Sequence, residues 1–422
     1  MKTKHCLIGL MALAFAVPPA TAETSSQSMQ PLPPQQLAAS NNAFAYDLYA
    51  QLKGKEGNLL FSPFSVSTAL AMTYAGAKGD SAAQMQKVLH FPASQNDTHA
   101  GFAALLKHFD DMQRGGSIQL NMANSVWPQQ GAALANDYLA LVKQNYGVTI
   151  TPVDYEHAAP AAKDAINHWV ESKTSGKIKN LIGRLGGATR LVLVNAAYFK
   201  GDWAQPFSHF MTQQDAPFFT VDGTPSQAPL MSQTKVMPYA APDGVQLVKM
   251  YYKGGQLSML VILPADKTAA GLRKVENELT AQQVAKWNAQ MNPVKVQVFL
   301  PSFKFDWGTF SFKAPLQALG MDDAFQGSSA DFSGMNGFRA KDNAQGLYIG
   351  DVLHKTFVAV DEQGTEAAAA TGVLMVAGAA RTNTASAPPP IVRADHPFLF
   401  LIQDDATESV LFMGRVMNPA RH

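Results

Sequence analysis

The sequence predicts an α+β fold organised around a large β-sheet. Helical periodicity is concentrated in the first half of the chain and strand-like runs in the second, the order expected when the two kinds of element are segregated. With 47% hydrophobic residues in 422 positions, the chain can bury a sizeable core.

Taken in order, Phe44, Leu48 and Leu52 fall on one face of a helix. Asn58 to Met72 reads as a short strand followed by a helix, with Ser62 placed to cap it and Pro63 near its first turn. Ile166, Trp169 and Val170 mark a further helix that stops near Gly176. Leu191 to Phe199 is a continuous apolar run, as expected of a buried central strand, and Leu257 to Leu263 is similar. Val294, Val296, Val298 and Leu300 alternate up to Pro301. Segments 356–361, 397–403 and 409–416 are further strand candidates. No internal repeat is present.

The N-terminus reads as a processing segment. Lys2 and Lys4 precede the apolar run Cys6 to Val17, and Ala20-Thr21-Ala22 is a small-x-small cleavage site, with the cut expected before Glu23. The run is too short to span a membrane, so no span is expected in the mature chain. Cys6 is the one cysteine, so the expected mature protein is exported, periplasmic or secreted, without disulfides or thiol chemistry. Residues 23–37, polar and proline-containing, read as a tether.

The formal net charge is +1 and 15% of residues are charged, below the usual ~25%. Without a basic run, nucleic acid is not an expected partner. There is no G-x-S-x-G elbow, no H-E-x-x-H and no phosphate loop, since Gly176-Lys177 is followed by Ile178. No catalytic residue, metal or cofactor is therefore expected. Asp395-His396 resembles an acid–base pair but sits inside a strand block and is read as structural.

The most informative stretch is Asp361 to Arg381, DEQGTEAAAATGVLMVAGAAR. Fourteen uncharged residues separate Glu366 from Arg381, too few for a membrane span and without the stripe of a surface helix. As a strand, one face carries Thr365, Ala367, Ala369, Thr371, Val373, Met375 and Ala377. The opposite face carries Glu366, Ala368, Ala370, Gly372, Leu374, Val376 and Gly378. Small residues lead and larger ones follow, as in a segment that slides between existing strands from its N-terminal end. Yet RTNTASAPPP, directly after it, has the composition of an exposed loop. A segment fit for burial that leads into an exposed tip is a conflict of the kind that marks function.

These residues resemble the serpin family of conformationally trapping protease inhibitors. The likeness runs through NLLFSPFSVSTALAM, INHWVESKTSGKI, LVNAAYFKGDW, MDDAFQGSSADFSG, VDEQGTEAAAAT, RADHPFLFLI and LFMGRVMNP, seven blocks in the family's order. It implies one domain over 38–422, with a large mixed main sheet, smaller sheets, about eight or nine helices and an exposed reactive loop at about 362–392. A monomer is expected.

The resemblance also assigns roles. Ser62, Ser65, Asn195 and His354 fall on the shutter beneath the centre of the main sheet. Trp203 and Glu362 match the breach, where the loop enters the sheet. The family often pairs this glutamate with a lysine just after a later proline. Here that position is Ser302, and Lys304, two residues on, is the candidate substitute. Glu362, Gly364, Thr365, Glu366, Ala367, Ala368, Ala369 and Ala370 match the hinge, whose inward face must be small and uncharged because burying an unpaired charge is costly.

The implied function is an irreversible suicide substrate. A serine protease attacks the loop with its own nucleophile, the freed loop inserts as a strand, and the acyl-enzyme is stranded. The family's spacing of roughly seventeen residues from Glu362 puts the reactive bond at Gly378-Ala379, a strand of about 55 Å at ~3.3 Å per residue. Val376, Ala377 and Ala380 then make a small-residue specificity loop suited to elastase-like or subtilisin-like enzymes. The alternative is cleavage at Arg381-Thr382 by a trypsin-like enzyme. A non-inhibitory member acting as a binding protein is the other alternative.

Overall fold

Ser62 ends a buried three-residue strand and caps the helix that follows, its hydroxyl accepting from the Ser65 amide, so the strand-then-helix reading of this segment holds. The computed structural model describes residues 33–116, 118–343, 345–365 and 387–420, apart from the side chains of residues 121–123 and 195. The expected signal peptide, most of the tether and residues 366–386 of the reactive loop lie outside the described residues.

The first part of the chain forms α1 (Pro34–Leu52), β1 (Leu59–Phe61), α2 (Pro63–Tyr74), α3 (Gly79–Val88) and α4 (Gln95–Gln113). It continues through β2 (Ile118–Pro128), α5 (Asn136–Tyr146), β3 (Thr149–Ile150), α6 (Tyr155–Lys173) and β4 (Leu191–Asp202). Then come β5 (Gln213–Phe219), β6 (Pro225–Ala240), β7 (Val245–Tyr251), β8 (Leu257–Pro264), α7 (Ala269–Glu278), α8 (Ala281–Gln290) and β9 (Asn292–Pro301). The rest comprises β10 (Phe303–Asp306), β11 (Phe310–Ser311), α9 (Lys313–Ala318), α10 (Ser333–Asn336), β12 (Leu353–His354), β13 (Phe357–Val360), β14 (Gly364–Thr365), β15 (Ile391–Arg393), β16 (Phe398–Asp404) and β17 (Val410–Val416). Helices thus dominate early and strands late. Among the described residues there are ten α-helices; the last two, of six and four residues, are too short to leave a helical period in the sequence.

Helix α1 starts at Pro34, so the last residues assigned to the tether are helical. The reason is local: Pro34 occupies the first helical turn, where a missing N–H costs nothing, and Leu37 is already fully buried.

Two large sheets organise the molecule. The nine-stranded sheet runs β1-β17-β16-β8-β7-β6-β9-β15, with β5 on β6. Strands β8, β16 and β17 are buried along their whole length, which explains their predominantly apolar sequences. Arg415 of β17, itself buried, donates to Glu276 of α7 at 2.8 Å and to the carbonyls of Lys53 and Gly57. Tyr49 of α1 donates to the same carboxylate at 2.7 Å, so one satisfied polar knot ties both helices to the sheet.

The six-stranded sheet runs β10-β13-β14-β4-β2-β3. Its centre is the β2–β4 ladder, in register from Ile118↔Gly201 to Pro128↔Leu191, with α2 packed against β4. Between β13 and β4 lies β14, two residues long and antiparallel to both.

Candidate functional site

The site grows from Gly364 and Thr365. Thr365 pairs with Val360 on one side and Gly201 on the other, and Gly364 pairs with Asp202. A side chain at Gly364 has no room, because a Cβ there would lie 2.1 Å from the Gly201 carbonyl oxygen. Thr365 is buried and its Oγ1 lies 2.7 Å from the Tyr252 hydroxyl. This agrees with the inward, small and uncharged position that its sequence place implies.

A tight turn delivers β14 to this position. The Asp361 carboxylate accepts from the Gln363 and Gly364 amides at 2.9 and 3.2 Å, and the Asp361 amide donates to the Gly364 carbonyl. Burial raises the Asp361 pKa despite these bonds. Trp203 clamps the turn, its indole N–H donating to the Asp361 carbonyl at 3.0 Å and its amide to the Gln363 carbonyl at 2.7 Å. The Trp203 ring stacks on Tyr252 with centroids 4.6 Å apart, and Phe199 meets Tyr252 edge-on at 4.9 Å. Burial pushes the Tyr252 hydroxyl far above the usual tyrosine range, so it stays protonated and available to Thr365.

Trp203 and Glu362 both lie at this turn, and among the described residues no lysine holds the Glu362 carboxylate. Glu362 Oε1 accepts from Thr212 Oγ1 at 2.8 Å and faces His209 Nδ1 at 3.1 Å. Burial alone would raise the Glu362 pKa; the bonds from Thr212, the backbone and His209 outweigh it and leave the pKa lowered. Ser302, in the family's lysine position, donates to the Val360 carbonyl at 3.0 Å. Lys304 lies opposite Ala359 with its ammonium 5.9 Å from the Phe357 ring centroid. Tyr252, Thr212 and His209 went unrecognised in the sequence, since each lies more than a hundred positions from its partner.

Three of the four expected shutter residues come together. His354 Nε2 accepts from the Ser62 amide at 3.0 Å, so the ring proton sits on Nδ1. Ser62 Oγ donates to the Leu411 carbonyl at 2.7 Å and accepts from Ser65. Burial lowers the His354 pKa to about 3, which keeps the imidazole neutral. Ser65 Oγ is buried without a hydrogen-bond partner among the described residues. Asn195 sits mid-strand opposite Asn124; its side chain lies outside the described residues.

Asp395 and His396 are spent on each other and on their surroundings. His396 Nδ1 faces Asp395 at 2.9 Å and Nε2 faces the Pro264 carbonyl at 2.7 Å. Burial opposes ionisation of Asp395, yet hydrogen bonds from His396 and Lys267 hold its pKa at about 2. The structural reading of this pair fits that geometry. Glu366 through Ala370, Val376 to Ala380, Arg381 and Thr382 lie outside the described residues, which resume at Ala387 and lead into β15. Among the described residues no group of histidine, cysteine and carboxylate side chains could hold a metal, and no helix is long and apolar enough to cross a membrane.

This architecture defines a class: two large sheets, one carrying a two-residue strand wedged between two of its longer strands. The model of the serpin family, described as serine protease inhibitors, matches residues 39–419. The chain belongs to the serpin family. It is 39% identical over 397 residues to leukocyte elastase inhibitor A of Mus musculus, covering 91% of this chain and 100% of that one. It is also 39% identical over 378 residues to an uncharacterized serpin-like protein of Thermococcus kodakarensis, covering 90% and 84%. Among solved structures it matches the thermophilic serpin tengpin in the native state with a TM-score of 0.79 and 27% identity, over 91% and 94% of the two chains. The family model and the elastase-inhibitor relatives support a protease inhibitor rather than a protease.

Proposed function

We propose that this chain is an irreversible suicide-substrate inhibitor of serine proteases, working by insertion of its reactive loop as a strand between β13 and β4. The observation that carries this reading is β14: Thr365 is laddered to β13 and β4 at once, and Gly364 to β4. Continuing the same strand places Ala367, Ala369 and Thr371 on the face of Thr365, and Glu366, Ala368 and Ala370 on the other. None of the inward residues carries a charge to desolvate.

The protease supplies the nucleophile and forms the acyl-enzyme. The freed loop enters at the breach formed by Trp203 and Glu362, and Ser62, Ser65, Asn195 and His354 let the strands part below it. The reactive bond is Gly378-Ala379, flanked by Val376, Ala377 and Ala380, and the targets are elastase-like or subtilisin-like. The similarity to leukocyte elastase inhibitors supports that class. The protein acts as a monomer, exported to the periplasm or medium after removal of residues 1–22.

The test is to incubate the protein lacking residues 1–22 with an elastase-like, a subtilisin-like and a trypsin-like enzyme. Denaturing gels and mass spectrometry then give the product and the cut. A denaturant-stable complex with a cut after Gly378 is expected. A complex cut after Arg381 would move the target to the trypsin-like class. Cleavage with no complex for any enzyme would make the chain a non-inhibitory member and sink the proposal.

A further inference from the structure

A second site stands out where the reactive loop rejoins the fold. The short strand β15 pairs in parallel with β9, Ile391 opposite Gln297, and Gln246 of β7 donates to the Ile391 carbonyl at 3.0 Å. Between β15 and the paired ends of β7 and β8 (Val245↔Pro264) the surface sinks into a cleft of about 400 Å³. That volume is at the lower end of small-molecule sites, ~300–1,000 Å³.

The walls combine two chemistries. Val245, Pro264, Ala265 and Ile391 give an apolar lining, with Ile391 52% exposed. Lys267 and Arg393 line the same cleft, and both spend charge on one carboxylate, Asp395. Lys267 Nζ lies 2.8 and 3.1 Å from its two oxygens, and Arg393 Nε lies 3.1 Å from Oδ2. Two permanent cations on one anion leave an excess positive charge at the cleft. Asp243 and Asp266, close in sequence to the cleft residues, do not line it.

Arg393 is also held in place. Its guanidinium carbon sits 4.7 Å from the Phe299 ring centroid, and Nε is fixed by Asp395. Its two terminal nitrogens make no hydrogen bond to any described residue. A planar, oriented donor fork beside an apolar wall is the arrangement that recognises a carboxylate or similar oxyanion in bidentate fashion.

We propose that this cleft binds a small ligand with a carboxylate on a compact apolar body, the carboxylate on Arg393 and Lys267 and the body against Val245, Pro264 and Ile391. Such a ligand touches the strand on which the reactive loop returns. By linkage it stabilises whichever form keeps β15 docked on β9, and so couples small-molecule binding to the fate of the loop.

Titration calorimetry of the intact protein with hexanoate, hexanol and inorganic phosphate tests the site. Saturable one-to-one binding of hexanoate is expected, at least tenfold tighter than hexanol or phosphate. Arg393→Gln should weaken it at least tenfold. Ala265→Trp, on the exposed rim, should occlude the cleft and abolish binding with no shift in the unfolding temperature, and decides the matter if Arg393→Gln folds poorly. Absence of saturable hexanoate binding, or affinity unmoved by occlusion, would overturn the proposal. Hexanol binding as tightly would overturn the anionic half, and phosphate binding as tightly the apolar half.

Discussion

The two sheets of this protein solve the same packing problem in opposite ways. In the nine-stranded sheet, β8 is laddered along its length to β7 and β16, and β16 to β17. In the six-stranded sheet, β13 meets β14 through one residue pair and β14 meets β4 through two. The first sheet is locked by buried leucine, isoleucine, valine and phenylalanine side chains, each worth about 1.5–3 kcal/mol when fully buried. The second, beyond its long β2–β4 ladder, is joined across β13, β14 and β4 by a glycine, a threonine, a tyrosine hydroxyl and an aromatic stack. Packing of the first kind resists rearrangement, while the second kind can be extended one residue at a time.

Four substitutions or conditions sharpen that contrast. The largest effect is expected from Thr365→Arg, which would force an unpaired charge into a buried position beside Tyr252. Loop cleavage should continue or quicken while the fraction of protease trapped falls at least tenfold on denaturing gels. Unchanged trapping would contradict entry at this point. Gly364→Val follows, since its Cβ meets backbone at Gly201. It should unseat β14 and lower the yield of complex, whereas Gly183→Val, at an exposed glycine of ordinary backbone conformation with nothing near its Cβ position, should leave the complex yield as it was.

The third test is pH. His354 and His99 are buried with folded-state pKa values lowered to about 3 and about 4. The unfolded chain takes up their protons first, near pH 6.5. Their stabilising contribution is therefore complete above pH 6.5 and drains away as pH falls toward those values, by up to ~1.4 kcal/mol per pH unit for each histidine. Denaturant titrations from pH 7 to 4 should show this slope, and His354→Gln should flatten it; an unchanged slope would show that His354 is not held neutral. The smallest effect is expected from Tyr252→Phe, which removes one buried hydrogen bond worth about 1 kcal/mol. It should lower stability by about that much and leave the cut site unmoved.

The same contrast explains what could be read from sequence. Strands β8, β16 and β17 are legible because full burial leaves mostly apolar runs, with Ser258, Gln403, Asp404 and Arg415 as the polar exceptions. Strand β6 is not, because Pro225, Pro229 and Pro238 interrupt it and its burial pattern does not alternate. At the site, Gly364, Thr365 and Trp203 were recognisable because local sequence carries them. The partners of Glu362 were not: Thr212 and His209 reach it through tertiary folding, and no spacing rule signals a residue about 150 positions away. The capping role of Ser62 was visible three residues from the amide that donates to it, while its place in one cluster with His354 came only from the family resemblance.

The most direct measurement of the central claim is to nick the loop within residues 366–386 by limited proteolysis and compare the unfolding temperatures of the intact and nicked proteins. If the six-stranded sheet accepts the freed segment alongside β4, the nicked protein gains a full central strand and unfolds at a clearly higher temperature. An unfolding temperature that stays the same or falls would show that the segment does not enter the sheet, and the account of this protein as a trapping inhibitor would fail with it.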